Sequence, residues 1–232
     1  MEMRIPSELV DSLRPVTVVV GHYGAGKTNF AVNLAIDLKR AGYDVTLIDV
    51  DVVNPYFRAS EQEDLLGQYG VNLVAPVFSK TGTSLDVPSL TGRISPTIRD
   101  AHEGSYVIID AGGDDVGATA LGRYALDIAS KDYAMLYVAN AFRNLVQDPM
   151  DALENLHEIQ EASHLKATAI VNNSHLKGST TDETVHEGVE YAKRLSSVMG
   201  LPLVCTAIPA NLEVQGIASS YPVQPFVKNP WE

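Results

Sequence analysis

Apolar positions fall into short continuous runs, separated by longer stretches in which they recur every three to four residues. The runs cover residues 16–20, 45–48, 71–75, 106–109, 133–138, 167–171 and 203–206. Runs of this length predict strands buried on both faces, as in a parallel sheet covered by helices. The longer stretches predict amphipathic helices. Residues 29–41 put Phe30, Leu34 and Leu38 on one face and end at Gly42, a natural C-cap. Residues 149–162 start behind Asp148 as N-cap, with Pro149 at the first helical position. Residues 182–199 end at Gly200, with Pro202 just beyond. Strand–helix alternation of this kind predicts an α/β fold: a doubly wound, mostly parallel sheet with helices on both faces. The stretch 76–96 is rich in Ser, Thr, Gly and Pro, has no period, and is expected to be a surface loop. With no repeat, low-complexity tract or linker, residues 1–232 read as a single domain.

The run 16–20 is followed by Gly21-His22-Tyr23-Gly24-Ala25-Gly26-Lys27-Thr28 and then by a helical stretch beginning at Asn29. This is G-x-x-x-x-G-K-[ST] in its strand–loop–helix context. The glycines let the backbone wrap with its N–H groups inward, forming an anion nest at a helix N-terminus. Lys27 then lies by the β- and γ-phosphates, the Thr28 hydroxyl is placed to ligate Mg²⁺, and Asn29 follows them among the expected nucleotide contacts. The sequence therefore predicts a nucleoside triphosphate and Mg²⁺ as ligands.

Further along, Leu47-Ile48-Asp49-Val50-Asp51 ends one strand in D-x-D, and Val107-Ile108-Ile109-Asp110-Ala111-Gly112-Gly113 ends another in D-x-x-G. Ile170-Val171-Asn172-Asn173 and Ile208-Pro209-Ala210-Asn211 close two later strands. In this order the chain resembles the MinD/ParA/CobQ-type P-loop nucleotide-binding proteins of the SIMIBI class, over nearly its whole length. The resemblance implies that Asp110 holds Mg²⁺ through water, and that Asp49 or Asp51 positions the attacking water. We assign Asp51 to the water and Asp49 to the metal's surroundings. It also implies that Asn172 contacts the base, with the Pro209 loop beside it. An open parallel sheet binds ligands outside the C-terminal ends of its strands, where all three aspartates fall. Taken singly, each aspartate reads better as a turn or N-cap residue; taken with the glycine loop, the functional reading is preferred.

Two positions depart from the family pattern. Many relatives carry a second lysine just after the first loop glycine, which reaches across a dimer to the partner's phosphate; here that position is His22. Any ATP-driven homodimer is therefore expected to be weak. No Asp follows Asn172 in the N-K-x-D arrangement that reads guanine, so ATP is expected over GTP. The implied function is an ATP-hydrolysing switch for an unidentified protein partner. An ATP-dependent synthetase or kinase resembling CobB or dethiobiotin synthetase is the rival, and a nucleotide-binding module with almost no turnover is a third.

Composition narrows the partners. Lys and Arg total 17 against 29 Asp and Glu, a formal net charge of −12. Such a surface repels the DNA backbone and anionic lipid, so neither nucleic acid nor membrane is expected as a partner. The tail 219–232 carries Pro222, Pro225 and Pro230 and is not expected to form a membrane-binding helix. The start lacks the apolar core of a signal peptide, and no run approaches the roughly 20 residues that span a bilayer, so the expected location is the cytoplasm. Cys205 is the lone cysteine, in an apolar run, and reads as buried. The six histidines show no metal-ligand spacing. Residues 54–58, with Tyr56, Phe57 and Arg58, occupy a switch position, while Asp114 and Asp115 read as helix caps. Arg143 follows a strand on the ligand side; a phosphate contact is one reading of it, and a solvated surface arginine is the one preferred.

Overall fold

The computed structural model describes residues 4–51, 59–75, 92–113 and 115–227. Each predicted apolar run forms a strand: β1 (Val16–Val20), β2 (Asp44–Asp49), β3 (Asn72–Val74), β4 (Ser105–Asp110), β5 (Tyr133–Ala139), β6 (Ala169–Asn172) and β7 (Leu203–Pro209). An eighth, β8 (Ser220–Val223), was not foreseen. All pair in parallel, in the order β3-β2-β4-β1-β5-β6-β7-β8. The helices between them are α1 (Ser7–Ser12), α2 (Lys27–Arg40), α3 (Ala59–Gln68), α4 (Ile94–Asp100), α5 (Asp115–Gly122), α6 (Ala125–Ala129), α7 (Pro149–Ser163) and α8 (Asp182–Met199).

Strand alternation divides the core in two. Val16, Val18 and Val20 of β1 pack with Ile98, Leu121, Ile128, Leu156 and Leu195, so α4 to α8 cover one face. Val19 turns the other way and joins Leu9, Phe30, Leu34, Leu38 and Leu66 from α1, α2 and α3. A strand buried on both faces is mostly apolar, which is why the runs lack a period of two; Thr17, buried in β1, satisfies its hydroxyl at the Arg14 carbonyl.

Helix ends follow the chemistry foreseen for them. Asp148 Oδ1 accepts from the N–H of Met150 at 2.8 Å, and Gly200 closes α8 in the left-handed region at φ 66°. At the other end of the stretch 76–96, Ile94, Ser95 and Pro96 already belong to α4 rather than to a loop. Residues 76–91 lie outside the described residues.

The tail is part of the sheet. Its β8 is an edge strand, where Pro222 is tolerated because only one side of the strand must donate to a neighbour. Three polar residues of α2, spaced four apart and hence on one face, hold the tail. Asn33 Oδ1 accepts from Gln224 N at 2.8 Å, and Asn29 Oδ1 accepts from Val227 N at 3.2 Å. The Tyr221 hydroxyl donates to buried Asp37 at 3.1 Å, whose other oxygen pairs with Arg40 at 3.1 Å. A buried carboxylate needs such partners, since leaving it unpaired is costly.

Candidate functional site

The sheet reverses its winding at β1: β4 lies on one side and β5 on the other. This is the crevice where open parallel sheets bind ligands. Residues 21–26 fill it. Gly21 takes φ 142°, and a Cβ there would overlap the carbonyl oxygen of Val138 in β5. Gly26, at φ 90°, caps α2 from the left-handed region, and a Cβ would overlap the Asn173 amide. Glycine is required at both places, by conformation and by space.

Lys27 opens α2 and is only 7% exposed. Its Nζ donates to the carbonyl of His22 at 3.2 Å, strapping the loop across its mouth. Ala25 is buried, and its carbonyl accepts from Asn173 Nδ2 at 2.7 Å. Tyr23 is 63% exposed. The His22 ring donates from Nδ1 to the carbonyl of Tyr23 at 2.9 Å. Asn29, expected among the nucleotide contacts, turns its side chain to the tail as described.

Three carboxylates gather beside Lys27 and Thr28. Asp49 and Asp110 end adjacent strands in register. Asp49 Oδ1 accepts from the N–H of Asp51 at 2.9 Å. Burial pushes the Asp49 carboxyl well above the usual range and the charge of Asp110 adds to this, against the Asp51 N–H. Burial likewise raises Asp110 to about 7, although the Thr28 hydroxyl and the Lys27 charge pull it down. Asp110 Oδ1 is buried without a hydrogen-bond partner.

Carboxylates pushed up by desolvation and by each other, one of them with an orphaned oxygen, fit a divalent cation. Among the described residues no three acidic, His or Cys side chains converge to chelate an ion unaided. Mg²⁺ takes one or two protein oxygens and completes its shell with water and phosphate.

The D-x-x-G segment lies directly on the loop. A Cβ at Gly113 would overlap the carbonyl oxygen of Gly21 and stand 2.8 Å from Lys27 Nζ. Gly113→Ala is therefore expected to push the two segments apart and weaken nucleotide binding by about tenfold or more. Equal affinities of variant and parent in a calorimetric titration would contradict this.

At the far side of the crevice, Asn172 is fully buried. Its Nδ2 donates to Thr206 Oγ1 at 3.4 Å and its Oδ1 accepts from Ser174 N at 3.1 Å, so its amide knits β6 to its surroundings. The following residue, Asn173, is the one that reaches the phosphate loop. Sequence reasoning missed it, though the doubled Asn was the available signal: successive strand residues point to opposite faces. Pro209 ends β7, half-buried, opposite Val223 of β8. Cys205 is buried in β7, and burial pushes its thiol up. No helix among the described residues is long and apolar enough to cross a membrane. Tyr56, Phe57, Arg58 and Asp114 lie outside the described residues.

A parallel sheet wound around a Lys-bearing glycine loop, with aspartates at the neighbouring strand ends, defines a P-loop nucleotide-binding protein. The family of CobQ/CobB/MinD/ParA nucleotide binding domains matches residues 16–215, and the chain belongs to it. The signal recognition particle 54 kDa protein of Metallosphaera sedula is 34% identical over 98 residues, which cover 42% of this chain and 20% of that protein. Its counterpart from Sulfolobus acidocaldarius is 28% identical over 108 residues, 47% of this chain and 23% of that one. The match thus spans under a quarter of either relative's length.

Among solved structures, chloroplast FtsY from Physcomitrella patens superposes with a TM-score of 0.57 at 18% identity, covering 90% of this chain and 61% of that one. The signal recognition particle 54 kDa protein from Aeropyrum pernix, in complex with GDP, gives 0.52 at 19% identity, covering 82% and 40%. At such identities the likeness is one of fold.

Proposed function

We propose that the chain hydrolyses ATP with Mg²⁺ and serves as a nucleotide-driven switch read by a protein partner. The observation that carries this reading is the orphaned Asp110 oxygen beside Lys27 and Thr28. A buried carboxylate with no partner is costly, and a bound cation would remove the cost. Thr28 and Asp110 would hold Mg²⁺, with Asp49 in the surrounding shell. When bound it would neutralise charge developing on the transferred phosphate. Lys27 binds the β- and γ-phosphates, and Asp51 orients the attacking water. Gly113 touches the loop at Gly21, His22 and Lys27, so the segment behind it responds to what the loop holds.

ATP is favoured because neither Asn172 nor Asn173 is followed by Asp in an N-K-x-D arrangement; Leu176 stands three residues after Asn173. GTP is the second reading, since the solved Aeropyrum relative holds GDP. A protein partner is in keeping with a switch, and its identity is open to capture with the ATP-bound chain. An ATP-driven homodimer would be weak, because His22 supplies no fixed charge against a formal −12 per chain.

Phosphate release tests the reading. ATP with Mg²⁺ should turn over slowly without any added compound, and excess GTP should compete poorly. GTP winning tenfold would reverse the base assignment. Asp51→Ala should keep nucleotide bound yet lower the rate about 100-fold or more, as loss of a water-positioning group does. If Asp49→Ala has that effect instead, the two roles are exchanged. Full activity in both variants would remove the D-x-D element from the mechanism.

A further inference from the structure

The loop 140–148 joins β5 to α7 along the rim of the phosphate loop. In it, Arg143 lays its side chain across Gly24. Its Nε, Cδ and Cζ stand 3.5, 3.6 and 3.6 Å from where a Cβ on Gly24 would be, and Gly24 itself takes φ 74°. An ordinary side chain at Gly24 would be strained by the backbone and would meet the guanidinium. Arg143 is exposed, and its guanidinium has no hydrogen bond or ion pair among the described residues.

This placement is built. Ala141 N donates to Ser174 Oγ at 2.9 Å, tying the start of the loop to the end of β6. Asn140 is buried; its Oδ1 accepts from Phe142 N at 3.0 Å, and its carbonyl accepts from Arg143 N at 3.2 Å. Beyond Arg143, Val146 is buried and its carbonyl accepts from the Tyr191 hydroxyl in the core. Between these anchors Leu145 is held at φ 71° with 79% of its surface exposed. Left-handed backbone at leucine persists only where its surroundings over-determine it. The loop therefore presents Arg143 at a fixed place on the rim.

Charge supplies the rest. Lys27 is one cation facing a polyphosphate, in a chain of net charge −12. Arginine suits a polyphosphate: it is always charged, and its planar fork matches phosphate oxygens in pairs.

We propose that Arg143 is a second phosphate-binding cation supplied in cis, closing over Gly24 onto the polyphosphate of the nucleotide bound by residues 21–28. The inference rests on the nucleotide reading above. It makes a partner chain unnecessary for the second charge.

Calorimetric titration with ATP and with GTP, each with Mg²⁺, tests it on four proteins: the unaltered chain, Arg143→Gln, Arg143→Lys and Lys27→Ala. Arg143→Gln should weaken binding about 10- to 100-fold, the range for loss of charge-assisted hydrogen bonds. Its apo melting temperature should match the unaltered chain, because the side chain is exposed. Arg143→Lys should recover part of the loss, and affinities should not vary with protein concentration. Unchanged affinity in Arg143→Gln beside a large loss in Lys27→Ala would overturn the clamp and leave the nucleotide reading standing. A lowered apo melting temperature in Arg143→Gln, or affinity that rises with protein concentration, would also overturn it. If the unaltered chain binds neither nucleotide, both readings fail.

Discussion

Lys27→Ala is expected to reduce affinity for ATP by at least about 100-fold. Two effects act together. The ammonium is nearly buried at the opening of α2, where its attraction to phosphate is weakly screened. Charge-assisted contacts of this kind contribute roughly 1.5–3 kcal/mol each, and about 3 kcal/mol is already a factor above 100. The same Nζ straps the loop through the His22 carbonyl, so its removal also loosens the cradle. Lys27→Arg separates the two effects: it keeps the charge but not the compact point contact at His22. Titration calorimetry at fixed salt is the measurement. Unchanged affinity in Lys27→Ala would falsify the assignment of residues 21–28 as the phosphate site.

Asp110→Asn is expected to abolish Mg²⁺-dependent turnover while stabilising the unliganded protein. Burial lifts the Asp110 carboxyl to about 7 from an ordinary value of 3.8. The groups facing it are Asp49 and Asp51, which oppose its ionisation, and Thr28 and Lys27, which favour it. With the folded value above the unfolded one, the folded state holds a proton between pH 4 and 7 that the unfolded chain has lost. The contribution of Asp110 to stability is therefore fully present below about pH 4, falls as pH rises toward 7, then levels off. The full effect is on the order of 4 kcal/mol.

Asn fills the same volume without ionising, so Asp110→Asn should flatten this slope. The variant should melt several degrees above the parent at pH 8, without nucleotide. Added ATP and Mg²⁺ should raise the parent's melting temperature more than the variant's. Equal pH profiles for the two proteins would show that Asp110 is not strained in the unliganded state. Such a result would show function and stability pulling in opposite directions at this position, as they commonly do where a site is built for a charged ligand.

Arg143 and Asn173 show a different limit of the sequence. Asn173 is a strand-end neighbour of a residue that resembled the base contact. Only its facing, set by the pleat of β6, sends its amide to the Ala25 carbonyl rather than into the sheet. The sequence places Arg143 after a strand on the ligand side, which leaves both a phosphate contact and a solvated arginine open. Arg143 meets Gly24 because β5 lies directly beside β1 in the sheet.

Local chemistry fixed what the sequence alone determined here. Seven of the strands show as apolar runs because burial on both faces leaves no polar alternative. Helix ends at Asp148 and Gly200 show because capping acts within one turn. The phosphate loop shows because eight consecutive residues carry its whole geometry.

Tertiary structure decided the rest. The strand β8 hides behind Pro222, which reads as a breaker until the sheet edge is known. Its hold on α2 joins Asn33 to Gln224, 191 residues apart. The raised carboxyl of Asp49 depends on burial at the strand end and on Asp110 arriving from another strand, in register. Contacts between distant segments leave no periodic trace in composition, since each needs only one residue of suitable chemistry at each end. Their partners are chosen by the order in which the strands are laid side by side.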